Sequence, residues 1–193
     1  VLGRSGIKST FEISLQRGLS ALVGRESDLE VLERCLERVI EGRGQAVAVI
    51  GEAGIGKSRL VQQFRDRSRA VMVRWFDCRC SPYQLNSALA PVVDHLLEAL
   101  SILPDASAED NLRRLERALA AHGLAGEEVT LVASLLGLPI DRYPPLDLSS
   151  QRQKERTLEA IIALLLAMAE KAPLVFFVED LHWVDPSTQE LLD

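Results

Sequence analysis

The stretch Gly51-Glu52-Ala53-Gly54-Ile55-Gly56-Lys57-Ser58 limits what this chain can fold into more than any other feature. It fits G-x-x-x-x-G-K-[ST], the loop with which nucleoside triphosphatases hold phosphate. The spelling follows from the chemistry. A triphosphate tail needs several N–H donors converging on one point, and glycines let the backbone curl into such a nest without a side chain in the way. The helix that follows directs its positive end at the same point. In this reading Lys57 reaches the terminal phosphate oxygens and Ser58 places its hydroxyl on Mg²⁺.

The flanks agree. Residues 45–50, Gln-Ala-Val-Ala-Val-Ile, are apolar and β-branched, as in a buried parallel strand. After the loop, Leu60, Val61 and Phe64 fall at helical spacing. A second stretch, Gly3-Arg4-Ser5-Gly6-Ile7-Lys8-Ser9-Thr10, has a lysine that follows no glycine and no strand before it, and it reads as linker.

The 193 residues suit one domain, or a domain plus a piece of another. With 47% hydrophobic residues the chain can bury a core. A net charge of −6 argues against a general nucleic-acid or membrane-surface binder. Three cysteines and no secretory leader predict a reducing, cytoplasmic setting. Cys78 and Cys80 would supply only two ligands to a metal, so small buried residues at a strand end are the simpler reading. The apolar run from Ala160 to Ala169 lies between Glu159 and Glu170 and is too short to span a bilayer.

In chain order, residues 1–20 show no periodicity and read as a connector. A helix is expected over about 27–41, with Leu29, Leu32, Leu36, Val39 and Ile40 on one face, ended by Gly42 and Gly44. A first strand over about 46–50, the loop, a helix to about Arg69 and a second strand over 71–76 follow. Between 77 and 149 only helices are predicted, over about 86–100, 108–122 (capped by Ser107) and 127–136. That makes the segment a helical insertion rather than a loop. Ser150 is expected to cap a helix to about Lys171 whose apolar face includes Leu158, Ile161, Ile162, Leu165 and Met168. A third strand over 174–178 leads to Glu179-Asp180, and Asp185-Pro186 starts a last helix. His95 and His122 read as structural residues on helices, without partners.

The acid pair fits the loop. A magnesium–nucleotide site needs a carboxylate at the C-terminal end of a neighbouring strand. One acid would hold the metal, partly through water, and the other would polarise the attacking water. Glu179 and Asp180 stand where both are needed, and the residue types do not divide the two jobs between them.

Val23-Gly24-Arg25-Glu26, the loop, and Glu179-Asp180-Leu181-His182-Trp183-Val184-Asp185-Pro186 together resemble the ATPase module of the signal-transduction NTPases, relatives of the AAA+ class. The likeness is greatest to the module that follows class III nucleotidyl cyclase domains and occurs in large ATP-binding LuxR-type regulators. It covers about residues 18–193. It implies a three-layer α/β P-loop fold with a parallel sheet ordered 5-1-4-3-2. On that order the chain ends after the third, acid-bearing strand, before the fourth strand that separates the third from the first. It implies ATP and Mg²⁺ as ligands, with Val23, Gly24, Arg25, Glu52, Ala53, Ile55 and Arg59 joining the loop glycines, Lys57 and Ser58 around the nucleotide. It implies further domains in the same chain: residues 1–20 would join an upstream cyclase-like domain to a nucleotide-binding domain over 21–193, with helical repeats beyond. It assigns no membrane or nucleic-acid contact to this segment and leaves nucleotide-dependent self-association open. His182 and Trp183 are expected to pack rather than react. Three functions compete: an ATPase that resets a signalling switch, an ATP/ADP-binding module with negligible turnover, and a P-loop small-molecule kinase. The last needs a basic phosphate lid, for which the insertion offers no suited cluster.

Overall fold

The computed structural model describes residues 24–193. The expectations for residues 1–20 and for Val23 lie outside the described residues. The chain divides between Val73 and Arg74 into two compact units.

In the first unit, α1 spans Glu26–Ile40 and α2 spans Lys57–Arg67. Leu29 and Leu36 on α1 and Leu60 and Phe64 on α2 are buried, and the two helices pack together. Arg67 on α2 adds an ion pair to Glu33 on α1 at 3.2 Å. Ile40, expected on the buried face, is 51% exposed. At the end of α1, Gly42 takes φ +81°. There the Gly42 and Arg43 N–H groups close onto the carbonyls of Val39 and Arg38. A β-carbon would be strained at that φ, so glycine stops the helix.

The first expected strand is not a strand. Residues 43–50 carry no strand assignment, and Val47 and Ile50 are 48% and 90% exposed. An apolar, β-branched run suits a pleated ladder, but the ladder itself is made by hydrogen-bonded neighbours. The sheet of the described residues contains two other strands only.

In the second unit, β1 (Arg74–Arg79) and β2 (Leu174–Glu179) pair in parallel. This is the adjacency of the second and third strands that the resemblance implies. The register sets Phe76 against Phe176 and Arg79 against Glu179. The second strand begins three residues later than the expected 71–76. A 3-10 turn over Ser68–Ala70 follows α2, and the Val71 N–H donates back to the Ser68 carbonyl. The ladder opens when the Arg74 N–H reaches the Pro173 carbonyl at 2.8 Å. Phe76 and Phe176 stack with centroids 5.2 Å apart, and Trp75 meets Phe177 edge-on at 6.4 Å.

Five helices complete this unit: α3 (Ala90–Ala99), α4 (Ala108–Ala120), α5 (Glu127–Leu135), α6 (Ser150–Ala169) and α7 (Pro186–Leu192). Phe76, Leu115, Leu119, Val132 and Ile161 are at most 1% exposed and belong to one apolar cluster. The helices between the strands therefore share the sheet's core. Ser107 caps α4 as expected, its hydroxyl accepting from the Asp110 N–H. Ser149, not Ser150, caps α6, accepting from the Arg152 N–H. The buried face of α6 is Leu158, Ile161 and Leu164, whereas Ile162 is 42% exposed. Leu165 and Met168 pack partly buried against the cluster as expected, and Ala160 and Leu164 complete the face in place of Ile162.

Two histidine readings change. His95 on α3 has a partner: its Nδ1 accepts from the Asp77 N–H at 3.2 Å, and its ring lies 4.0 Å from that of Phe76. His122 lies in the turn after α4 rather than on the helix.

Candidate functional site

The phosphate loop begins at Gly51 and runs directly into α2. Gly54 and Gly56 take φ +81° and +97°, the left-handed region that glycine alone enters without strain. A β-carbon at either would meet no atom within 4 Å, so backbone conformation rather than space demands glycine there. Gly56 is the N-cap of α2, and no acidic side chain stands in the helix's first turn to cancel its positive end. The Lys57 ammonium lies back across the loop, donating to the carbonyls of Gly51 at 2.8 Å and Glu52 at 2.9 Å. These bonds fix the charge against the loop.

Arg25 joins this group from the start of α1. Its guanidinium donates to the Ile55 carbonyl at 3.2 Å and pairs with Asp28 at 3.0 Å. Gly24, just before it, takes φ +75°. Arg25, Val49, Ile50, Ile55, Gly56, Lys57 and Leu60 line a concavity of about 120 Å³. Two cations at a concavity of this size suit a phosphate group. Ser58 and Arg59 occupy the next two positions of α2, both half-buried and both engaged by other groups. Glu52 and Ala53 are exposed loop residues.

The acid pair closes β2 in the second unit. Glu179 is the last strand residue, and its carboxylate accepts from Arg79 Nε at 3.1 Å across the parallel register. Its side chain is 16% exposed. Asp180 is exposed and left-handed, with φ +57°. It is the N-cap of a 3-10 turn over Leu181–Trp183, and its carbonyl receives the Trp183 N–H at 2.8 Å. Successive acids thus face different surroundings, one paired and partly covered, the other aimed at solvent. Asp180 stays reachable for a hydrated cation, and Glu179 is already held by a guanidinium. Lys57 and Arg25 stand together in the first unit, and Glu179 and Asp180 with Arg79 in the second.

Arg79 was not legible as a site residue. With the second strand expected to end at Phe76, it fell outside the ladder; the three-residue shift brings it opposite Glu179. His182 and Trp183 do not enter the core. His182 is exposed, Trp183 is 38% exposed, and their rings lean on each other at 5.1 Å. The 3-10 turn carries both away from the sheet. Asp185 caps α7 as its sequence predicts and is 1% exposed. Cys78 and Cys80 are buried, and burial pushes their thiols up to about 12 and about 11. Both are protonated at neutral pH, the poorly ligating form.

Among the described residues no helix is long and apolar enough to cross a membrane. The sequence profile of the AAA ATPase domain matches residues 21–193. An uncharacterized protein of Rhizobium meliloti (strain 1021) is 33% identical over 177 residues, which is 89% of this chain and 16% of that protein. The hybrid signal transduction histidine kinase G of Dictyostelium discoideum is 27% identical over 177 residues, again 89% of this chain and 5% of the kinase. The chain therefore spans a small part of the length of these relatives. No solved structure gives a significant match.

Proposed function

From a chain that belongs to the AAA ATPase domain family, we propose a magnesium-dependent ATP-binding and slowly hydrolysing module that acts as a nucleotide-controlled switch within a larger signalling protein. The observation that carries this reading is the loop: left-handed Gly54 and Gly56, an uncancelled helix N-terminus, and Lys57 and Arg25 fixed beside them. The loop N–H groups, Lys57 and Arg25 would bind the phosphates, with Val23, Gly24 and the Ile50–Ile55 wall toward the base. Ser58 and one carboxylate of the acid pair would hold the metal, whose chemistry is to neutralise charge on the transferred phosphate. The other carboxylate would orient and deprotonate the attacking water. The large signalling relative supports the switch context.

A second reading, a binding module with negligible turnover, has one observation in its favour. Glu179 is paired with Arg79, so the acid expected to act on water is occupied. Phosphate release from Mg·ATP by the full-length protein separates the two. The first reading expects multiple turnovers that stop without Mg²⁺. In the second, a single slow turnover is expected, and Arg79→Ala accelerates it by freeing Glu179. Transfer of phosphate to an added acceptor would overturn both in favour of a small-molecule kinase.

A further inference from the structure

Asp185 is a buried carboxylate that the nucleotide site does not use. It caps α7, but a cap needs only local N–H groups. Here Oδ1 accepts from Ser187 N at 3.0 Å and Thr188 N at 3.1 Å, and also from Leu89 N at 3.0 Å, a residue 96 positions away. Its Oδ2 accepts from the Thr188 hydroxyl, which fixes the plane of the carboxylate. Asp185 and Thr188 are 1% and 0% exposed, so these bonds have no competition from water.

The far partner is unusual too. Leu89 is 3% exposed and takes φ +55°, a conformation costly for a leucine. It is the N-cap of α3 and has no side-chain oxygen with which to cap that helix. Such strain persists only where surrounding structure enforces it. From Leu89, α3 runs to His95, whose Nδ1 receives the Asp77 N–H of β1. On the other side, Asp185 stands five residues after Asp180, and the 3-10 turn Leu181–Trp183 spans the interval. Asp180 is itself left-handed. Two left-handed residues thus flank one buried carboxylate, Asp180 through five residues of chain and Leu89 through a hydrogen bond.

We infer that Asp185 is a positioning residue that couples the acid pair at the end of β2 to the start of α3, so that a change at Glu179-Asp180 on nucleotide binding is passed to the helices between the strands. The inference rests on the reading of the acid pair as part of the nucleotide site. A displacement of the Asp180 turn displaces Asp185, and Leu89 must either follow or lose the partner of a buried N–H.

The test separates coupling from capping. In Asp185→Ser the hydroxyl still caps α7, since serine is as good a cap as aspartate, but it is too short to bridge to Leu89. Asp185→Asn retains an acceptor for Leu89. Amide hydrogen exchange is followed in the full-length protein with and without Mg·ATP. In the wild type Mg·ATP is expected to slow exchange both at residues 51–67 and at residues 86–93, the latter by about tenfold, within the usual range of intramolecular couplings. In Asp185→Ser the slowing at 51–67 remains and that at 86–93 disappears; in Asp185→Asn both remain. Should Asp185→Ser fail to fold, Thr188→Val, which frees Oδ2 alone, must still reduce the protection at 86–93. The inference is overturned if Asp185→Ser keeps that protection, or if wild-type residues 86–93 do not respond while 51–67 do. No response at 51–67 in the wild type would instead overturn the nucleotide-site reading, and the coupling with it.

Discussion

The two buried thiols beside the acid pair make stability depend on pH in a way that can be worked through. Cys78 and Cys80 are 1% and 3% exposed. Burial, with the neighbouring Asp185 carboxylate adding to it, raises them from 9.0 to about 12 and about 11. In the unfolded chain both ionise near the ordinary value; in the folded chain they stay protonated. Above that value the unfolded state binds fewer protons than the folded one, so stability must fall as pH rises. The contribution is fully present below pH 9 and is lost progressively up to the folded values. Each thiol contributes a slope of about 1.4 kcal/mol per pH unit. One unit above the ordinary value, at pH 10, the two together cost roughly 2–3 kcal/mol, a large share of a typical domain's stability of about 5–15 kcal/mol. Melting temperature is measured at pH 8 and pH 10 for the wild type and for Cys78→Ala/Cys80→Ala. The variant is less stable at pH 8 because it loses core volume, so the informative quantity is the drop between the two pH values. A drop several degrees smaller in the variant is expected. Equal drops would show that the thiols ionise as freely folded as unfolded, and that the end of β1 is open to water.

Gly56→Ala should weaken ATP binding by about tenfold without unfolding the chain: the added methyl meets nothing within 4 Å, but φ +97° imposes a strain of about 1–3 kcal/mol on the loop. Binding and far-ultraviolet circular dichroism measured together check both halves of that statement. Glu179→Gln and Asp180→Asn should split binding from turnover. The metal-holding acid lowers magnesium-dependent affinity, and the water-polarising acid slows hydrolysis by roughly 10²–10⁴-fold at unchanged affinity; the exposed Asp180 is expected to be the former. If neither variant moves either quantity, the pair is a solvated turn.

The parts of the fold that are local were legible in the sequence. The N-caps at Ser107 and Asp185, the glycine stop at Gly42 and the helical spacing of Leu60 and Phe64 are set by residues within one or two turns of each other. The parallel pairing of the second and third strands came from the resemblance, and the structure shows it. What depends on distant partners was not legible. The run at 46–50 has the composition of a strand, yet composition does not supply a neighbour. The start of β1 depends on the 3-10 turn taking up Ser68–Ala70 and on Pro173 receiving Arg74, a residue nearly one hundred positions away. Two long-range contacts near the acid pair were missed for the same reason. Arg79 meets Glu179 only through the register, and Asp185 reaches Leu89 across the helical segment. The loop itself was readable because its chemistry is carried by consecutive residues.

In the proposed site Lys57 is held over the loop to bind phosphate. Its two bonds to the carbonyls of Gly51 and Glu52 place it there. A charge-assisted contact to phosphate is worth roughly 1.5–3 kcal/mol, or one to two decades of affinity. The direct measurement is the dissociation constant of a fluorescent ATP analogue in the presence of Mg²⁺, for the full-length protein and its Lys57→Ala variant. A variant weakened by at least tenfold, with an unchanged circular dichroism spectrum, is the predicted result. Equal dissociation constants for the two proteins would contradict the assignment of this loop as the phosphate site.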